Sequence, residues 1–184
     1  MNPELETYLD QLLSITQDVP GLIGKLSHEQ FNWRPAPERW SIAECFDHLN
    51  ASARGFVPAM DAAIADARAR RLESQGPFTY PLIERVFVRV NEPPPKLTFR
   101  APRALKPSPG KEVDLVLGEF MNWQTALGER IRRADGIDLR RARHKSPVGP
   151  LKWSLGTMFA VVLAHERRHT WQARQVRREI GFPV

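Results

Sequence analysis

The chain has 184 residues, 42% of them apolar and 26% charged, which is the composition of a globular protein and not of a disordered one. One cysteine, Cys45, excludes an intrachain disulfide framework and a multi-cysteine zinc site, and no run approaches the roughly 18 apolar residues of a membrane span. The net charge of +6 is uneven: residues 1–66 carry 4 Lys/Arg against 10 Asp/Glu, and residues 67–184 carry 23 against 11. Such asymmetry suits either a nucleic acid or an anionic ligand, or solvated helix faces with a partner surface that pairs the two halves of the chain. The basic residues are dispersed and not interleaved with aromatics in one tract, which favours the second reading and no nucleic-acid partner. The acidic start, Met1 to Glu6, lacks the basic region of a secretory signal, so a cytoplasmic location is expected.

Taken in chain order, Leu5, Tyr8, Leu12 and Ile15 recur at helical spacing, and the periodicity predicts a first helix from Pro3 to Val19, stopped by Pro20-Gly21. Ser27 with Gln30 reads as a capping box opening a short turn, and Pro35 and Pro37 keep the next connector extended. A second capping box, Ser41 with Glu44, opens a second helix carrying Ile42, Cys45, Phe46, Leu49, Phe56, Met60 and Ile64, with a bend or restart expected at Pro58 and an end near Arg71. Residues 73–110 hold eight of the sixteen prolines and read as a long crossover with a short helix over Ile83 to Val90, packed over one end of the molecule. A third helix follows from Glu112 to Arg133, then a basic loop through Arg140, Arg141, Arg143 and Lys145. The fourth helix, Ser154 to Ile180, has the most regular ladder: Leu155, Met158, Val162, His165, His169, Gln172, Val176. The expected fold is an all-α four-helix bundle, one domain over residues 1–184, with the long crossover between helices two and three.

Two histidines interrupt the ladder of the last helix where apolar residues belong. His165 and His169 are four apart, so their rings share one face, about 6 Å apart along the axis. Two imidazoles so placed either bind one metal ion or form a hydrogen-bonded pair in the core, and spacing alone leaves both open. The string His165-Glu166-Arg167-Arg168-His169 also matches H-E-x-x-H, in which the glutamate is the general base of a zinc peptidase. The 15 residues after His169 contain no third ligand, since Glu179 lies about 15 Å further along the helix, so the usual peptidase layout is disfavoured. A third ligand must come from upstream, and His48, beside the buried stripe of the second helix, is the best candidate. His28 and His144 sit in connectors. Glu166 is either a general base or a solvated residue, and Glu44 either a cap or an acceptor orienting His48. Cys45 reads as a small hydrophobe, and Trp40 as a wall of any pocket.

Trp40-Ser41-Ile42-Ala43-Glu44-Cys45-Phe46-Asp47-His48-Leu49 resembles the W-S-x-x-E-x-x-x-H-L motif of the DinB-like superfamily, and Leu26 to Pro35 resembles its lead-in. His165 to Gln172 is similar to its last-helix H-x-x-x-H-x-x-Q pattern. The resemblance covers nearly the whole chain. It implies a four-helix bundle, often a homodimer, with a divalent metal on His48, His165 and His169; zinc or nickel is expected there because imidazole suits both. It also implies a small-molecule substrate and either thiol-dependent S-transfer or isomerisation using a low-molecular-weight thiol, or metal-dependent hydrolysis. The alternatives are a non-catalytic metal-binding or regulatory bundle, an H-E-x-x-H metallopeptidase and a basic nucleic-acid binder. If the cosubstrate is an anionic thiol, Arg167, Arg168 and Arg174 are its candidate partners.

Overall fold

The computed structural model describes residues 1–95 and 101–184. The helices are α1 (Pro3–Ile23), α2 (His28–Asn32), α3 (Ile42–Ala69), α4 (Leu82–Asn91), α5 (Val113–Arg133) and α6 (Leu155–Arg177). A 3-10 turn covers Arg103–Leu105, and two short antiparallel strands, β1 (Arg143–Lys145) and β2 (Lys152–Ser154), pair His144 with Trp153. The all-α expectation holds, with this small hairpin formed inside the segment read as a basic loop.

Four helices enclose the core in the cyclic order α1, α5, α3, α6. Side-chain pairs give their directions. Thr16 meets Gln124 and Leu12 approaches Gly128, so α1 and α5 are antiparallel. Asn50 bonds Val116, Arg54 bonds Glu119 and Asp61 bonds Arg130, so α3 and α5 run parallel. Tyr8 meets Gly156 and Leu22 meets Arg177, so α1 and α6 are parallel as well. Adjacent parallel helices cannot be joined by a tight turn, because the chain must first return the full helix length. That geometry is why the connection from α3 to α5 is long.

Several boundaries differ from the sequence reading. Helix α1 continues through Pro20 for another turn. Pro20 is exposed, while Leu22 and Ile23 are buried and hold that turn against the core. Helix α3 likewise runs unbroken through Pro58, whose ring faces solvent between buried Val57, Ala59 and Met60. Both capping boxes form as expected: Ser27 with Gln30, and Ser41 with Glu44. Helix α6 ends at Arg177, three residues short of the expected Ile180.

Residues 73–80 of the crossover pack over one end of the bundle as expected, where the Ser74 amide donates to the Gly136 carbonyl and the Gln75 carbonyl accepts from Asn2, but the rest of the described crossover leaves that end. Its helix α4 lies along the flank of α6, tied at one end by Glu84 to Ser154 and Thr157, and at the other by Glu92 to Arg167 and by the Val90 carbonyl to Arg168. Residues 96–100 of the crossover lie outside the described residues. Ahead of α4, Tyr80 donates to Glu4 at 2.6 Å and packs over the start of α6. A Cβ on Gly156 would stand 2.0 Å from the Tyr80 hydroxyl oxygen. Gly156→Ala is therefore expected to displace Tyr80 and lower stability by about 1–3 kcal/mol, read by thermal denaturation; an unchanged midpoint would show that Tyr80 moves freely.

The acidic first third and the basic remainder meet within one chain. Asp18 pairs with Arg174, Asp47 with Lys111, and Asp61 with Arg130 and Arg133. These pairs set part of the acidic first third against the basic remainder within one chain. Among the described residues no helix is long and apolar enough to cross a membrane.

Candidate metal centre

The second capping box places His48. Ser41 and Glu44 close the first turn of α3, and Arg34 from the preceding connector grips both Glu44 carboxylate oxygens. That fixed start sets the rotation of α3, and His48, two turns in, faces α6 with 4% of its surface exposed. Glu44 is a cap and an Arg34 partner and does not touch His48. The acceptor that orients His48 is the main-chain carbonyl of Leu105, which takes the Nδ1 proton at 2.7 Å. It belongs to the 3-10 turn, carried over α3 by the crossover and anchored by the Ser108 amide on Asp47.

On α6 the ladder brings His165 and His169 to the same place. His169 turns its Nδ1 to Gln172 Oε1 at 3.1 Å, so Gln172 fixes that ring as Leu105 fixes His48. The Nε2 atoms of all three histidines converge: His48 to His165 at 3.1 Å and His165 to His169 at 3.0 Å. Trp40 covers the group, stacked on His169 at 5.7 Å between ring centroids and tilted on His48 at 5.0 Å.

Burial dominates the electrostatics. It lowers the pKa of His48, drives that of His165 down to about 3, and puts His169 well below its ordinary value; the Arg168 guanidinium lowers all three further. The rings are therefore neutral near pH 7. With Nδ1–H donating outward from His48 and His169, both turn an Nε2 lone pair inward. His165 has one Nε2 and can donate to only one of them, so hydrogen bonding among the rings cannot satisfy the group. A divalent ion satisfies all three at once. Imidazole nitrogens on one tetrahedral ion at about 2.0–2.1 Å stand about 3.3 Å apart, and the separations here fall within a few tenths of an ångström of that. The residues thus fit a metal, and among the described residues these three are the His, Cys, Asp and Glu side chains grouped closely enough to hold one.

The triad opens onto a cavity of about 930 Å³, the size of a small-molecule site. Phe56, Phe87, Val148 and Val161 line one part, and Trp40, Arg39 and Gln172 another. Ser52 and Phe56 follow His48 at intervals of four, a continuation that the periodicity of α3 already contains. The Leu105 carbonyl had no sequence signal, because a main-chain acceptor carries no residue type.

Glu166 lies elsewhere. It is 4% exposed, accepts from Gln124 on α5 at 2.9 Å, and is absent from the cavity lining. The reading of Glu166 as solvated is overturned. Burial raises its pKa to about 7, with Gln124 and Arg167 opposing. Cys45 is fully buried and burial pushes its thiol pKa up, which suits a hydrophobe and not a nucleophile. Of the three arginines singled out, Arg167 is held by Glu92 and Gln11, and Arg174 by Asp18; Arg168 lines the cavity. His28 and His144 lie on α2 and β1 and belong neither to the histidine group nor to the cavity lining.

No curated protein matches this chain, and no solved structure does. A family model does match, over residues 11–173, a span that contains both motifs and all three histidines. The chain belongs to the DinB superfamily.

Proposed function

We propose that this protein is a metal-dependent enzyme in which His48, His165 and His169 hold one divalent ion, zinc or nickel, and in which a small-molecule substrate is attacked by a low-molecular-weight thiol or by water. The observation that carries the reading is the convergence of three neutral Nε2 atoms at the wall of an accessible cavity. Three imidazoles leave positions for an outside ligand, which suits catalysis better than a closed structural site. When bound, the ion lowers the pKa of a thiol or water and so supplies a nucleophile at neutral pH.

The chain's own residues do the rest. Leu105 and Gln172 hold two rings in the tautomer that presents Nε2. Trp40 shields them from bulk water, and the apolar wall of Phe56, Phe87 and Val161 lowers the local dielectric constant. Glu38 is the carboxylate of the cavity lining among the described residues and is the available proton acceptor there. Glu166 is given no part as general base, since its carboxylate turns to Gln124, and the peptidase reading loses its base with it.

Elemental analysis of protein purified without an affinity tag tests this reading. One zinc or nickel per chain is expected; protein that carries no metal and takes up none on incubation overturns it. Gln172→Leu leaves the three ligands in place but removes the acceptor on His169, and should weaken metal binding about 10–100-fold in competition with a chelator. Unchanged affinity would make Gln172 a packing residue.

A further inference from the structure

We infer that the ligand of this site is an amphipathic acid, its anionic head set between the metal and Arg168 and its hydrocarbon body laid along Phe56, Phe87, Val148 and Val161; the inference rests on the metal reading above. Its grounds are the charge and the shape of the cavity.

The charged side chains lining the cavity among the described residues are Arg39, Arg103, Lys106 and Arg168 against the single carboxylate of Glu38. Arg39 is engaged with Glu179 at 2.5 Å. Arg168 is held in place, donating to the Val90 carbonyl of α4 at 3.0 Å, half-buried on the same helix as two of the histidines and adjacent in sequence to His169. Three neutral imidazoles bring no negative charge to a divalent ion. The loaded site therefore sets a dication and a guanidinium against one half-enclosed space, and the repulsion between them is relieved by an anion that meets both. A neutral ligand leaves it in place.

The shape supplies the other half. Helices α3 and α6 run antiparallel here, so moving from His48 to Phe56 on one matches moving from His165 back to Val161 on the other. Phe87, stacked on Trp153 at 4.8 Å, and Val148 of the hairpin loop line the same part. Phe56 is eight residues past His48, about 12 Å along the helix axis. The apolar part thus leads away from the histidines in one direction for a limited distance, which sets an upper length for the tail.

The test uses the full chain loaded with cobalt(II), whose visible absorption reports ligands at the ion. Metal stoichiometry is measured first, then acetate, butanoate, hexanoate, octanoate and decanoate are titrated, with hexanamide as the neutral counterpart. The expected result is saturable change with carboxylates, affinity rising about fourfold per added methylene until the chain spans the apolar end, and at least tenfold weaker binding of hexanamide. Arg168→Met should cost at least tenfold in carboxylate affinity at unchanged cobalt stoichiometry, with partial recovery in Arg168→Lys. Phe56→Ala should flatten the dependence on chain length and spare acetate. If cobalt binds one per chain but acetate, hexanoate and hexanamide bind alike or not at all, this inference is overturned while the metal reading stands. If cobalt does not bind, the metal reading fails and takes this inference with it.

Discussion

Replacing His169 with alanine is expected to abolish stoichiometric metal binding and, with it, the response of the protein's thermal stability to metal. A ligand that binds only the folded chain stabilises it by RT ln(1 + [L]/Kd), about 4 kcal/mol at a thousandfold excess over Kd. In a chain of this size that corresponds to a midpoint shift of about 8–16 °C. Adding a strong chelator to the wild-type protein should lower its midpoint by that order. The His169→Ala protein should show no chelator effect, because two remaining imidazoles do not fill the coordination of zinc or nickel. Differential scanning calorimetry with and without chelator, read beside elemental analysis, makes the comparison. Equal chelator shifts in the two proteins would place the metal somewhere other than the triad.

The second large effect is expected at Glu84, far from any chemistry. This residue of α4 is 1% exposed, yet carries a carboxylate. Ser154 and Thr157 each donate a hydroxyl to Oε2 at 2.5 Å, and Arg143 donates to Oε1 at 2.6 Å. One side chain thereby pins α4 to the start of α6 and to the hairpin. Glu84→Ala removes the charged acceptor shared by two buried hydroxyls and Arg143, leaving Arg143 the Lys152 carbonyl and Ser154 the Thr157 hydroxyl, and is expected to cost about 2–4 kcal/mol. At that end of α4 Leu82, Ile83 and Val86 face solvent, and the stacking of Phe87 on Trp153 is the apolar contact that remains.

The same contacts set a pH dependence. Burial pushes the Glu84 pKa up, but the hydroxyls of Ser154 and Thr157 and the Arg143 guanidinium outweigh it and hold the carboxyl below its ordinary value of 4.5. A carboxyl depressed on folding contributes stability above its unfolded pKa, and loses it as the pH falls through the folded value. The wild-type midpoint should therefore fall more steeply below pH 4.5 than that of Glu84→Ala. Parallel acid profiles for the two proteins would show that Glu84 does not carry this charge-dependent stability.

Much of the bundle was legible because its signals are local. The capping boxes at Ser27 and Ser41, the apolar ladders of the four long helices and the short helix in the crossover depend on residues within a few positions of each other. The errors came where packing outvoted local chemistry. Pro20 and Pro58 are strong breakers in isolation, but both rings sit on the solvent side, and buried neighbours hold the helix through them. The hairpin at Arg143–Lys145 and Lys152–Ser154 was missed because three-residue strands rich in Arg and Lys carry no alternating pattern.

The sequence by itself determined the helical class and the two motifs, and with them His48, His165 and His169 as the residues to watch. It did so because helical spacing puts His165 and His169 on one face and because a capped helix start fixes where His48 points. Only the tertiary structure decided the partners of those residues. The Leu105 carbonyl on His48 and the turning of Glu166 toward Gln124 arise between segments separated by 57 and 42 positions. Contacts at such distances depend on helix direction, and here the parallel pairing of α3 with α5 lays the crossover over the triad. No periodicity within a single helix encodes how that helix is rotated against one brought to it by a loop.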